Sequence, residues 1–262
     1  MSDSSDAERF GDDNPVFETT VRAGVCRLSR PRARWLSTGW DGGESRGSAA
    51  YNVTVPEGWP ETDLAAYVDA RRADAGFDAA GPTLLTGVSQ DHAHRARLDG
   101  VEAVVTAGVS NPAALPVTGV TEEGAADDAT GSPGADGPTD GSRDDDHAHA
   151  GTVNVVVGTA RALEPGALAN LLTVAAEAKA ATLLALVGVP GTTTDAVIAA
   201  CDPDGPCTRF SGSATPVGRA ARACVRDALL ASLRSRYPDE MPMPETAEYG
   251  VVTDVRATVT RV

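Results

Sequence analysis

Lysine is almost absent. The 22 basic residues are 21 arginines and one lysine, Lys179, against 37 acidic residues and a net charge of −15. A chain this acidic repels phosphate backbones, so nucleic-acid binding is disfavoured. Acid excess with so little lysine resembles the composition of proteins that stay dissolved in concentrated salt. Aromatics are scarce too, at 4% of 262 residues, so Val, Leu and Ala must build the core. The start, Met1-Ser2-Asp3-Ser4-Ser5-Asp6, has neither the basic nor the apolar region of a signal peptide. No stretch reads as the ~20 apolar residues of a membrane span, so no membrane partner is expected. Cys26, Cys201, Cys207 and Cys224 form no C-x-x-C pair, and no histidine stands at zinc-finger spacing. They read as small buried hydrophobes in a reduced, cytoplasmic protein. HExxH, GxSxG and G-K-[ST] are all missing. That disfavours zincin, α/β-hydrolase and P-loop mechanisms, and no metal site is expected.

An apolar fraction of 42% is enough for one sizeable core. Residues 1–14 are polar and acidic, and read as a disordered tail. Residues 119–150 hold nine acids, one arginine and six glycines. They read as a disordered insertion, because they cannot bury enough apolar surface to offset ordering entropy. The domain is therefore 15–262, interrupted at 119–150.

The rest maps coarsely. Residues 21–29 and 33–38 read as a strand pair turning at Arg30-Pro31. Residues 49–55, 83–89, 101–108, 152–160, 195–201 and 249–261 also read as strands. Helices are expected over 62–75, 166–187 and 216–235, the last with Thr215 as N-cap and Pro216 in its first turn. Helices do not follow every strand. This argues for an α+β single domain: a mixed, largely antiparallel sheet packed against two long helices.

Helix 166–187 is Ala/Leu-rich and reads as buried all round. Its two charges are Glu177 and Lys179. At 100° per residue, Lys179 shares a face with Leu168, Leu172, Ala175, Leu183 and Leu186. Glu177 lies nearly opposite, beside Asn170, Ala181 and Leu184. Residues two apart do not meet on one helix, so each charge needs a partner from elsewhere. A lysine kept in a chain that otherwise uses arginine suggests a role that a rigid guanidinium cannot fill. Further polar candidates are Ser110 and Asn111 in the turn after strand 101–108, and Asn154 within an apolar strand. The loop Gly191-Thr192-Thr193-Thr194-Asp195 adds Thr194 and Asp195. Ser213 lies in the loop entering the last helix, where free N–H groups could hold an anion. His92 and His94 flank a polar loop, and His147 and His149 fall in the acidic insertion.

In order, several motifs resemble the adenosylcobinamide amidohydrolase family of archaeal cobamide salvage. They are Trp35-Leu36-Ser37-Thr38 with Gly42-Gly43 and Asn52, Val105 through Asn111, and Gly151-Thr152-Val153-Asn154-Val155. Glu177-Ala178-Lys179, Gly191 through Asp195 and Gly212 through Gly218 follow. The resemblance spans about residues 20–235. It implies hydrolysis of the amide joining aminopropanol to a corrin-ring propionate, giving adenosylcobyric acid and aminopropanol. The corrinoid is then the substrate, and no cofactor is implied. Within that reaction Glu177 or Asp195 would act as base on water, and Lys179 as the cation near the oxyanion. Asn111 and Asn154 would orient the substrate, and Ser110 or Thr194 offers a covalent route. The family pattern has a histidine where Ala214 stands. Two rival readings are therefore kept: a corrinoid-binding protein without hydrolysis, and a scaffold that docks through the acidic insertion.

Overall fold

A computed structural model describes residues 14–56, 63–117, 151–242, 247 and 250–261. Residues 1–13 and the acidic insertion with His147 and His149 lie outside the described residues. Strand β1 (Glu18–Arg22) turns through Ala23 (φ 47°) and Gly24 (φ 73°) into β2 (Val25–Ser37). Two left-handed residues between paired strands suit a tight hairpin, whose twist matches that of its arms. The strand pair was expected to turn at Arg30-Pro31. Instead β2 runs through that dipeptide, with a break in register between Ser29 and Ala33 and Arg32 at φ 57°. Proline lacks a donor, and a bulge is where a strand tolerates it.

The chain continues through β3 (Gly43–Thr54), α1 (Leu64–Asp74), β4 (Thr83–Thr86), β5 (His94–Leu98), β6 (Val101–Ala107) and β7 (Ala113–Ala114). Then come β8 (Val153–Thr159), β9 (Ala162–Leu163), α2 (Pro165–Val187), β10 (Ala196–Cys201), β11 (Cys207–Thr208), α3 (Pro216–Arg236) and β12 (Val251–Val252). Thr215 caps α3 by accepting from Gly218 N at 3.0 Å. The main sheet has the order β4-β3-β2-β10-β8-β6-β5, with β1 added to β2. Only β3–β4 and β8–β10 pair in parallel within it. The fold is α+β, with a mixed, largely antiparallel sheet.

Alternation along β8 and β10 sorts the two faces. Val153, Val155, Val157 and Ala199 pack beneath α2 and α3, against Leu168, Leu171, Leu183 and Leu229. Val156 and Ile198 face the other way, toward Leu28, Trp35 and Leu84. The sheet curls over this inner face until β4 reaches β8. There Asn154 Nδ2 donates to Leu85 O and to Asn52 Oδ1, each at 2.9 Å, and Asn52 Nδ2 donates to Thr106 Oγ1 at 2.9 Å.

Three further expectations change. Helix α2 is not buried all round, because Leu184 and Leu186 are 51% and 39% exposed. By length and composition α2 would suffice to cross a membrane, contrary to the sequence reading. Its buried face instead packs on the sheet. Of the expected strand 249–261, Val251–Val252 is the part that forms one among the described residues, parallel to β7. Thr253 N still donates to Ala114 O at 3.0 Å, but no further strand forms among the described residues, and Val255 and Val259 are exposed.

Glu102 on β6 is fully buried and accepts from Val16 N at 2.9 Å. Burial pushes its carboxyl above the usual carboxylate range. A raised folded-state value gives stability that is complete below the unfolded value and lost as pH rises through the folded one. Glu102→Gln keeps an acceptor for Val16. Its stability relative to wild type should therefore climb between about pH 4 and pH 8 in urea unfolding. An unchanged difference at the two pH values would show that Glu102 does not couple folding to protons.

Candidate functional site

Antiparallel β6–β8 and parallel β8–β10 bring three chain ends to one edge of the sheet. Ala107 is paired with Val153, and Asn154 with Ala196. The loops 108–112, 151–152 and 188–195 therefore meet there. Helix α2 leaves the far end of β8 and returns toward this edge, carrying Lys179 with it.

Lys179 is 9% exposed, and its Nζ donates to Asp195 Oδ2. The partner expected from elsewhere in the chain is thus Asp195. That carboxylate also accepts from Val153 N (2.9 Å), Thr192 N (3.0 Å) and Thr192 Oγ1. A carboxylate has about four lone-pair positions, and all are taken. Gly191 lies flat against this pair. A Cβ there would stand 2.6 Å from Asp195 Oδ2 and 2.9 Å from Lys179 Nζ. Beside it, the hydroxyls of Thr152 and Thr194 are 2.7 Å apart.

The turn carrying Ser110 and Asn111 closes over Gly151. A Cβ at Gly151 would fall 2.5 Å from both Ser110 N and Asn111 N, so only glycine permits the approach. Backbone bonds from Thr193 N to Asn111 O (3.1 Å) and from Ala113 N to Gly191 O (2.9 Å) stitch this turn to the threonine loop. Tyr237, just past α3, fixes it from the other side by accepting from Val109 N at 3.2 Å. Asn111 Oδ1 is buried without a hydrogen-bond partner. Such an atom carries a desolvation cost unless a ligand reaches it.

The family model for adenosylcobinamide amidohydrolase matches residues 11–240. The chain belongs to that family. The adenosylcobinamide amidohydrolase of Halobacterium salinarum is 51% identical over 250 residues, spanning 94% of this chain and 100% of that one. That of Methanosarcina mazei is 26% identical over 211 residues, 77% of this chain and 90% of its own. Among solved structures, a Burkholderia sp. beta-aminopeptidase superposes with a TM-score of 0.40 at 15% identity, over 82% of this chain and 80% of its own.

Within this adenosylcobinamide amidohydrolase family member, the structure gathers five of the eight residues singled out from sequence: Ser110, Asn111, Lys179, Thr194 and Asp195. Asn154 stands one alternation inward from Thr152, sealed at 1% exposure within the curled sheet. Glu177 is not in the cluster. It is exposed on the outer side of α2, with Arg222 Nη1 3.8 Å from its carboxylate. Ser213 is also elsewhere. The neighbouring Ser211 Oγ donates to Ala167 O in the first turns of α2, and Gly212 abuts Asn170. Nine residues of helix separate Asn170 from Lys179, about 13 Å at the helical rise. Ala214 shares that distant loop. Thr152, Thr192 and Tyr237 join the cluster without having been singled out. Thr152 and Thr192 belonged to the quoted motifs as hydroxyls, whereas nothing local marks Tyr237. Among the described residues no three histidine, cysteine or acidic side chains converge as metal ligands.

Proposed function

We propose that this chain hydrolyses adenosylcobinamide at the amide between aminopropanol and the corrin propionate, releasing adenosylcobyric acid and aminopropanol. Membership of the adenosylcobinamide amidohydrolase family carries this reading. The site supplies a chemistry for it. An ammonium has three donors. Asp195 takes one from Lys179, and the others serve the oxygen that becomes negative as the amide carbonyl is attacked. Asp195 holds the cation rather than removing a proton, since its own acceptors are filled. The unpartnered Asn111 Oδ1 accepts the N–H of the scissile amide. Thr152 and Thr194 present the hydroxyls from which the nucleophile is delivered, as their own oxygen or as water held between them, and the proton it loses passes to the departing aminopropanol nitrogen as the C–N bond breaks.

The binding-only reading leaned on Ala214. That residue sits in the α3 entry loop, away from Lys179, which favours retained hydrolysis. Four free thiols, three of them buried, suit a reducing compartment such as the cytoplasm. The test is mass-spectrometric detection of cobyric acid and aminopropanol from adenosylcobinamide in concentrated salt. Tight binding without release of aminopropanol would establish the binding-only protein instead. Glu177→Gln should leave turnover unchanged in the same assay, because its carboxylate lies outside the cluster. A turnover loss in that variant, with stability intact, would return Glu177 to the mechanism.

A further inference from the structure

The motif Trp35-Leu36-Ser37-Thr38 with Gly42-Gly43 has no role in the cluster above. It borders a cavity of about 580 Å³ between the β2–β3 connection, α1 and residues 80–83. Openings of roughly 300–1,000 Å³ accommodate small-molecule ligands. The end of β2 that leads into this cavity pairs with β10 just past the candidate site. Thr38 N donates to Val197 O at 3.0 Å and Thr38 Oγ1 accepts from Val197 N at 2.9 Å, two residues beyond Asp195. Trp40 and Asp41 follow directly and enter the lining.

We propose that this cavity receives the uncharged nucleoside arm of the substrate, an inference that rests on the proposed function. Three observations carry it. Trp40, 36% exposed, is part of the wall, and bases stack on indole rings. Part of the wall is bare backbone: a Cβ at Gly43 would meet nothing within 4 Å, and one at Gly47 only Ala80 O at 3.7 Å. A flat ring can lie against such a surface. The charges give a phosphate no net attraction. Arg46 and Arg72 line it with Asp41, Glu44 and Asp69, and Glu44 already accepts from Arg34 Nη2 at 2.9 Å, so the charges balance. Arg72 is already paired with Asp69 at 2.8 Å. A nucleoside without phosphate suits this lining, and its ribose hydroxyls or exocyclic amine can donate to the Asp41 carboxylate.

The experiment titrates 5′-deoxyadenosine and AMP into the full chain by calorimetry, then compares adenosylated with cyano-ligated cobinamide as substrates. 5′-Deoxyadenosine should bind more tightly than AMP. Trp40→Ala should weaken it roughly tenfold. The same variant should raise KM for the adenosylated substrate, leave kcat in place and spare the cyano form. Gly47→Ala, which the fold accommodates, should narrow the cavity and act in the same direction. An unchanged preference between the two corrinoids in both folded variants would overturn the proposal, as would AMP binding as tightly as 5′-deoxyadenosine. If no corrinoid is hydrolysed while 5′-deoxyadenosine still binds in a Trp40-dependent way, the proposed function fails and nucleoside recognition by the cavity stands.

Discussion

Lys179→Met should lower kcat for adenosylcobinamide by about 10²–10³, the usual cost of losing one donor to a developing oxyanion. Methionine fills much of the same volume on α2 but offers no donor. The variant should also be less stable. Breaking a buried ion pair by removing one partner typically costs about 3–5 kcal/mol, because the remaining charge stays buried. Asp195 keeps Val153 N, Thr192 N and Thr192 Oγ1 as donors, which holds the loss toward the low end. The two effects separate by measuring kcat per folded molecule, with folding followed by circular dichroism in the same salt. Lys179→Arg sharpens the result. It retains charge, but a planar fork cannot occupy the space of an ammonium against the bare face of Gly191. A folded Lys179→Met enzyme with kcat within about tenfold of wild type would remove Lys179 from the oxyanion role and leave it a purely structural cation.

Asn154→Leu should destabilise the protein by about 2–6 kcal/mol. Its Nδ2 is the donor to both Asn52 Oδ1 and Leu85 O inside the curled sheet. Leucine leaves two buried acceptors unsatisfied, at about 1–3 kcal/mol each. The affected strands are β3, β4 and β8, so the change strikes where the sheet closes on itself. Denaturant unfolding of the full chain measures it, and Asn154→Ser serves as a smaller polar variant if the leucine form does not fold. A leucine variant that unfolds within about 1 kcal/mol of wild type would mean that these bonds contribute little to closure.

The local signals were readable in the chain. Thr215 with Pro216 marks the start of α3, and α2 follows from its Ala/Leu content. The strands β6, β8 and β10 stand out as short β-branched runs. The missed elements have physical reasons. The arm β5, with the sequence His94-Arg95-Ala96-Arg97-Leu98, carries few large apolar residues because it is the sheet edge, covered on one side by α3. Arg30-Pro31 has turn chemistry, yet the strand passes it as a bulge because β3 continues beyond on the same edge. Thr253 N still bonds to Ala114 O, but the strand patterning of 254–261 forms no further ladder among the described residues.

The candidate site divides the same way. Lys179 could be picked out because a lone lysine on an apolar face needs a reason, and its partner was known only to lie elsewhere. Asp195 became that partner through the β8-α2-β10 crossover, which returns the helix to the edge where β10 begins. Glu177, two residues away, has the same chemical promise and a different fate, since 200° of helix rotation places it on the solvent side beside Arg222. Ser213 shows the limit most plainly. A polar loop before a helix is chemically suited to bind a ligand, but its position depends on which end of β10 the chain has just left.

Most of the net charge of −15 is concentrated in two segments of the sequence. Residues 1–14 carry five acids and one arginine, and 119–150 carry nine acids and one arginine. The other 216 residues hold 23 acids and 20 bases, a net of −3. By itself the sequence determined composition, helix and strand periodicity, and the motifs that mark the family, because each depends on residues close together along the chain. Only the tertiary structure decided that Lys179 meets Asp195, that Gly151 must be bare beneath Ser110 and Asn111, and that Glu177 and Ser213 stand apart. Those are long-range contacts, set by strand order and crossover, and no local pattern encodes which sheet edge a loop will share.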